Sequence, residues 1–280
     1  MLRYKIIIFS VLVLFFLFQI CIYFCIYPVT FSWPDYLAGI GQGIFVSLSP
    51  ESQKLIRINL HSYTLTVFEN GRLVKKYEIA AMGHPKISPT PTGSFKILQK
   101  HKNAFSNLSE VWMPWSMRFY KKYYIHEVPY YPSGERIKTN YSLGCLRIPP
   151  KQAEELYQWA ELGTRVEIYE AELVKAAAEP SIYQLLKNGF KKHIINPDVF
   201  ASYGYQWKNV AVIPYEELRA YSDIDLIRGE GDYRVYKIED GIKRWVKTEE
   251  AFERLGYDWS KIILMNAVEL SVYQTGEPIK

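Results

Sequence analysis

The chain has 280 residues, a net charge of +5 and 49% hydrophobic residues, enough for one or two ordinary domains with a sizeable core. Its Lys and Arg are scattered and form no basic stripe, which excludes a nucleic-acid-binding reading on charge. The 23 Tyr, 14 Phe and 7 Trp favour strands and half-buried surfaces.

From Ile6 to Tyr27, 22 residues pass without one charged side chain. As a helix this run spans about 33 Å, enough to cross the hydrocarbon core of a membrane. Arg3 and Lys5 precede it, so the positive-inside rule places the N-terminus in the cytoplasm and the rest of the chain outside. The run is too long for a cleaved signal peptide, and Tyr27-Pro28-Val29-Thr30-Phe31 offers no small-residue cleavage site. Residues 1–27 are therefore read as a cytoplasmic N-terminus and single-pass anchor. Residues 28–52, with Pro28, Pro34, Pro50 and Gly39, Gly41, Gly43, read as a stalk.

From Lys54 the pattern turns to strands. Ile56, Ile58 and Leu60 alternate with polar residues, as do Leu65 and Val67. Glu69-Asn70-Gly71-Arg72 predicts a hairpin, because Asn-Gly tolerates the positive φ of a type I′ turn, and Leu73 to Ala81 is its returning strand. Further strands are predicted over Ser94–Leu98, Tyr123–His126 and Arg165–Tyr169. Pro150 to Leu162 predicts a helix with Ala153, Leu156, Tyr157 and Ala160 on one face and Gly163 as its stop. Residues 53–170 thus make a mostly β domain with one helix. The Ala- and Glu-rich residues 171–180 read as a helical linker.

Residues 181–280 contain an internal repeat at an offset of 52. Phe200-Ala201-Ser202-Tyr203-Gly204-Tyr205-Gln206-Trp207 matches Phe252-Glu253-Arg254-Leu255-Gly256-Tyr257-Asp258-Trp259. Glu217 and Tyr221 match Glu269 and Tyr273. Each unit reads as a β-hairpin, a short helix stopped by Gly204 or Gly256, and another short strand and helix. The two would stack as a small α+β domain, since neither unit can bury its apolar face alone. The repeated Tyr and Trp suit a shared core role better than a glycan platform.

Of the three cysteines, Cys21 and Cys25 fall inside the apolar run, leaving Cys145 alone in the exported part. A lone thiol outside the cell is either a small buried hydrophobe or a reactive group. Its neighbours favour the second: Tyr124-Ile125-His126-Glu127 and Tyr141-Ser142-Leu143-Gly144-Cys145-Leu146-Arg147. A thiol is mostly protonated at neutral pH, and an imidazole activates it by taking the proton. Gly144 removes a side chain beside the nucleophile and lets the N–H groups of 144 and 145 face a developing oxyanion. Adjacent strands joined by a loop would bring His126 and Cys145 together.

These segments resemble the L,D-transpeptidase catalytic domain of the YkuD type over roughly residues 53–170. That family's pattern is a His, about fifteen residues, then Ser/Thr-x-Gly-Cys-x-Arg/Asn. Here it is His126 followed by Ser142-Leu143-Gly144-Cys145-Leu146-Arg147. Thr90-Pro91-Thr92-Gly93-Ser94-Phe95 resembles the family's strand entry, and Met113-Pro114-Trp115-Ser116-Met117-Arg118-Phe119 the segment before the His. Leu143 stands where many members carry His, and Glu127 where many carry Gly or Ser.

The resemblance implies a β-sandwich or barrel and a peptidoglycan enzyme forming 3→3 cross-links between stem peptides through a cysteinyl thioester. Cys145 would be the nucleophile and His126 the base, oriented by the Glu127 carbonyl. Gly144 would serve the oxyanion hole, and Ser142 would hold the loop. Arg147 would bind a substrate carboxylate or sit in a structural ion pair. Trp115 and Tyr141 are further candidates for substrate contact, and residues 101–123 for a lid or a piece of core. No cofactor or metal is implied, and the other histidines have no ligand spacing. The same residues with water as acceptor would make an L,D-carboxypeptidase. A relic site would leave a non-catalytic wall-binding protein, whose repeat contacts the wall or another protein.

Overall fold

The computed structural model describes residues 53–280. The expected membrane anchor and stalk, residues 1–52, lie outside the described residues. Among those described, no helix is long and apolar enough to cross a membrane.

The first part runs β1 (Lys54–Asn59), β2 (Thr64–Glu69), β3 (Arg72–Glu78), β4 (Met82–Gly83), β5 (Gly93–Lys96), β6 (Gln99–Ser106), β7 (Val111–Tyr120), β8 (Tyr123–Glu127), β9 (Tyr141–Ser142), β10 (Leu146–Ile148), α1 (Pro150–Trp159) and β11 (Arg165–Tyr169). Asn70 and Gly71 both have positive φ, 51° and 78°, which closes the β2–β3 hairpin with the right-handed twist of its strands. One sheet has the order β3-β2-β1-β11-β5, a second β10-β8-β7-β6, and β4 pairs with β9. The period-two apolar residues meet across these ladders: Ile56 opposes Val67 and Val166, and Ile58 opposes Leu65 and Ile168.

The main core lies between the two sheets. Ile56, Ile58, Leu65 and Val166 come from the first sheet, Met117, Phe119, Ile125 and Leu146 from the second. Helix α1 adds Ala153, Leu156 and Ala160 to the same core. It ends at Trp159, earlier than its pattern suggests, because Ala160 turns extended and Gly163 takes a positive φ.

The stretch read as a helical linker is instead a central strand, β12 (Leu173–Ala176). Leu173, Val174 and Ala176 are all buried, because β12 is flanked by β13 (Ile182–Leu185) and β15 (Val210–Ile213). Ladder pairing overrides the helical preference of an Ala- and Glu-rich run. Between those strands come β14 (Phe190–Ile194) and α2 (Pro197–Ser202), and after them α3 (Tyr215–Arg219) and β16 (Ser222–Asp223).

The rest follows the same order: β17 (Leu226–Gly229), β18 (Val235–Glu239), β19 (Ile242–Val246), α4 (Glu249–Arg254), β20 (Ile263–Met265), α5 (Ala267–Val272) and β21 (Gln274–Thr275). Two further five-stranded sheets share one pairing pattern, β15-β12-β13-β14-β16 and β20-β17-β18-β19-β21. The registers Ile182↔Ile194 and Val235↔Val246 make the second hairpin turn one residue shorter, so the offset is 52 only from β14 onward.

The outer face of β1 and β2 is covered by the first of these units. Glu217 on α3 accepts from Arg57 Nε at 2.6 Å and from the Tyr169 hydroxyl. The Tyr221 hydroxyl meets Thr64 Oγ1 at 2.6 Å and Ser62 Oγ at 3.0 Å. The equivalent Glu269 on α5 accepts from Lys192 Nζ at 2.7 Å and from the Tyr203 hydroxyl at 2.5 Å. One buried glutamate thus fastens each unit to the part before it, through one cation and one phenol.

Candidate active site

Strands β8 and β10 lie side by side and parallel, with His126 opposite Arg147. Parallel neighbours need a crossover, and residues 128–140 together with β9 supply it. Cys145 immediately precedes β10. A cavity of about 260 Å³ has His126, Ser142, Leu143, Cys145 and Arg147 on its wall. The turn between β6 and β7 closes another side, through Phe105 to Ser109, and Val111, Met113, Lys122, Tyr124, Pro129 and Ile137 complete it. The 101–123 segment is therefore a wall at its tip and core at its base, where Met117 and Phe119 are buried.

His126 is 2% exposed. Its Nδ1 donates to the Glu127 carbonyl at 2.5 Å. A carbonyl only accepts, so the proton rests on Nδ1 and Nε2 carries the free lone pair. Burial is the main reason its pKa falls to about 4; the Glu127 bond opposes that fall and the Arg147 charge adds to it. Cys145 is half-buried and is the free cysteine among the described residues. Burial pushes its thiol up, against the Tyr124 backbone and the Arg147 and Lys122 charges. Its Sγ lies 3.9 Å from the Lys122 carbonyl. At neutral pH the resting pair is therefore thiol and imidazole, not thiolate and imidazolium.

Gly144 has φ +106°, and a Cβ built there would lie 2.3 Å from Tyr123 Cε1. Gly83 backs it so closely that its own Cβ would fall 2.8 Å from Gly144 Cα. Thr90, from the Thr-Pro-Thr-Gly segment, holds this back wall by accepting the Gly83 N–H at 3.0 Å. One expectation changes here. The Gly144 N–H donates to Ser142 Oγ at 3.0 Å and is already engaged rather than free for an oxyanion. Ser142 in turn donates to the Cys145 carbonyl at 2.5 Å, so this hydroxyl braces the loop on both sides of the thiol.

The Glu127 carboxylate is buried and meets Arg136 Nη2 at 2.6 Å, while Arg136 Nη1 donates to the Val128 carbonyl at 2.7 Å. Arg147 is 8% exposed. Its Nη1 donates to Thr139 O and Oγ1, both at 3.0 Å, and its Nε has no partner. Among the described residues no carboxylate pairs with it, so the structural ion-pair alternative is not what the fold contains.

Trp115 and Tyr141 do not reach the cavity. Trp115 takes φ +52°, and the burial alternation of β7 is inverted at Trp115 and Ser116 before it resumes in the same register at Met117. Its ring packs on Tyr157 of α1, 5.3 Å between centroids. Tyr141 is exposed, and its ring lies 4.7 Å from that of His84.

The L,D-transpeptidase catalytic domain model of the YkuD family matches residues 53–168. YkuD of Bacillus subtilis (strain 168), named as an L,D-transpeptidase, is 31% identical over 140 residues, 48% of this chain and 80% of that protein. The chain belongs to the YkuD family of L,D-transpeptidases.

A second YkuD, from Bacillus licheniformis, is 31% identical over 113 residues, 40% of this chain and 64% of that protein. The solved L,D-transpeptidase (Yku) from Stackebrandtia nassauensis is 23% identical, covering 42% of this chain and 56% of that one, with a TM-score of 0.37. Within the family's pattern this L,D-transpeptidase domain keeps Ser142, Gly144, Cys145 and Arg147 and departs at Leu143, which is 51% exposed on the cavity wall. Tyr124 was missed, although period-two alternation puts it on the same side of β8 as His126. Ile137 and Thr139 carried no local signal, because a crossover loop brings them to the site.

Proposed function

We propose that this domain is an L,D-transpeptidase acting on peptidoglycan stem peptides, with Cys145 as nucleophile and His126 as general base. The observation that carries the reading is a histidine whose Nδ1 is held by the Glu127 carbonyl, sharing one cavity with the thiol. Fixing the tautomer leaves Nε2 to take a proton, which is the arrangement a thiol nucleophile needs.

In the first step Cys145 Sγ attacks the carbonyl of the third stem residue as its proton passes to His126 Nε2. The C–N bond to the terminal D-amino acid breaks, His126 returns the proton to the leaving amine, and a thioester remains. In the second step the side-chain amine of a neighbouring stem attacks that thioester. Its proton goes to His126, the C–S bond breaks, and the thiol is restored. Both resting groups are neutral, so no preformed charge has to be desolvated when substrate enters. With the Gly144 amide held by Ser142, the Cys145 N–H is the oxyanion donor, worth about 3 kcal/mol in the transition state. Arg147, buried without a carboxylate, meets an anionic group of the substrate and raises the local potential. The catalytic domain works outside the bilayer, held there by the apolar run near the N-terminus.

Incubation with tetrapeptide muropeptides tests this reading. Cross-linked dimers together with released D-amino acid are expected. Tripeptides alone would show water as the acceptor and make the enzyme an L,D-carboxypeptidase.

A further inference from the structure

Two indoles lie on the surface at equivalent places in the C-terminal units. Trp207 and Trp259 are 65% and 51% exposed, so the core role expected of the repeated aromatics fails at this position. Each lies flat on a buried phenylalanine. Trp207 stacks on Phe200 with centroids 4.5 Å apart and planes at 21°, and Trp259 on Phe252 at 3.9 Å and 22°. The phenyl rings belong to the cores beneath. One face of each indole is thus fixed by the core and the other is offered to solvent. A ring already ordered in this way adds little further entropic cost when a ligand stacks on it.

The groove beside Trp207 narrows the class of ligand. Ser181, His193 and Asn196 line it together with Phe200 and Trp207, and no Lys, Arg, Asp or Glu does. Burial lowers the His193 pKa, so that ring is neutral at pH 7. A polyanion finds no counter-charge there. An apolar helix would find its trough interrupted by three polar side chains. A neutral pyranose fits both features: its axial C–H face covers an indole, and its hydroxyl and amide groups meet neutral donors and acceptors at the edge. In the second unit Trp245 stands at the place of His193, and Tyr233 meets it edge-on at 6.4 Å. The second platform is the more aromatic of the two.

We propose that Trp207 and Trp259 are paired stacking platforms for a polysaccharide strand, and that the strand is the wall glycan that carries the stem peptides. The choice of polymer rests on the reading of the Cys145 site; the platforms themselves do not. Two sites on one chain engage one repeating polymer, so each reinforces the other through effective concentration.

The test is retention of the full chain on peptide-free wall glycan, prepared by amidase treatment. Trp207→Ala and Trp259→Ala should each weaken retention by about tenfold, and the double variant by about a hundredfold, as two linked sites require. Trp207→Tyr keeps a flat ring over Phe200 and should retain most binding, which separates lost stacking from lost folding. In the wild type, a β-1,4-linked N-acetylhexosamine tetrasaccharide should shift the indole fluorescence. Failure of the wild type to be retained, or equal retention of the double variant, overturns the proposal. Thioester formation at Cys145 with a free stem tetrapeptide is read in parallel and should be unchanged in the Trp variants. Acylation without retention overturns the platforms alone, and retention without acylation overturns the catalytic reading alone.

Discussion

At Cys145 and His126 the decisive question is where the proton rests. Burial moves the two groups in opposite directions, the thiol up and the imidazole down to about 4. In the proposed mechanism His126 works only when deprotonated, and its depressed pKa keeps it so well below neutrality. The rate of acylation, kcat/KM, should therefore stay flat from pH 7 down to about pH 5.5 and fall only as the pH approaches 4. An acid limb near pH 6.5 or above would instead indicate an imidazole of ordinary or raised pKa, as in a resting ion pair. Gly144 makes a second residue-scale prediction. Gly144→Ala forces a Cβ against Tyr123 at a φ of +106°, a combination costing about 2 kcal/mol or more. Acylation should fall by at least tenfold, with a lower Tm. The meeting of Cys145 and His126 at one cavity was legible in the sequence, because thiol chemistry tolerates so few residue types around it. Trp115 and Tyr141 were misread because closeness in sequence does not set the side a residue faces. Trp115 takes a left-handed φ, and its ring packs on Tyr157 of α1.

At the scale of elements, the crossover from β8 to β10 is the part the sequence concealed. Residues 128–140 supply Pro129 and Ile137 to the cavity and Thr139 to Arg147, yet they have neither period nor motif. Their position depends on Arg136, which joins the loop to Glu127 and to the Val128 carbonyl. Arg136→Ala leaves the buried Glu127 carboxylate unpaired at the end of β8 and frees the loop. It should lower kcat/KM about tenfold and stability by about 1–3 kcal/mol, with the cost falling on the unpaired Glu127. Glu127→Gln combined with Arg136→Ala should recover part of the stability, which thermal unfolding of both variants would show. The β2–β3 hairpin was readable to the turn type because Asn-Gly has few alternatives. Strand β12 was not, since its composition favours helix and only its two flanking strands make it extended.

At the scale of the whole molecule, the first C-terminal unit is part of the catalytic domain's packing, not an appendage on a linker. Arg57, Tyr169 and Tyr221 join it to β1, β2 and β11. Arg57→Ala strands Glu217 without its cation, and breaking one side of a buried pair costs about 3–5 kcal/mol. The Tm should fall in a single transition by several degrees, as followed by calorimetry. Two separate transitions would mean that the parts unfold independently. The repeat was visible as matched residues at a constant offset. Its docking logic was not, because Glu217 and Glu269 find their cations in parts of the chain far from them in sequence. The measurement that reaches the central claim most directly is intact mass of the full chain after brief exposure to a stem tetrapeptide. The wild type should gain the mass of the tetrapeptide less that of the released free D-amino acid, mapped to Cys145, and Cys145→Ala should gain nothing. An unmodified wild type, or an adduct that persists in Cys145→Ala, would contradict the account.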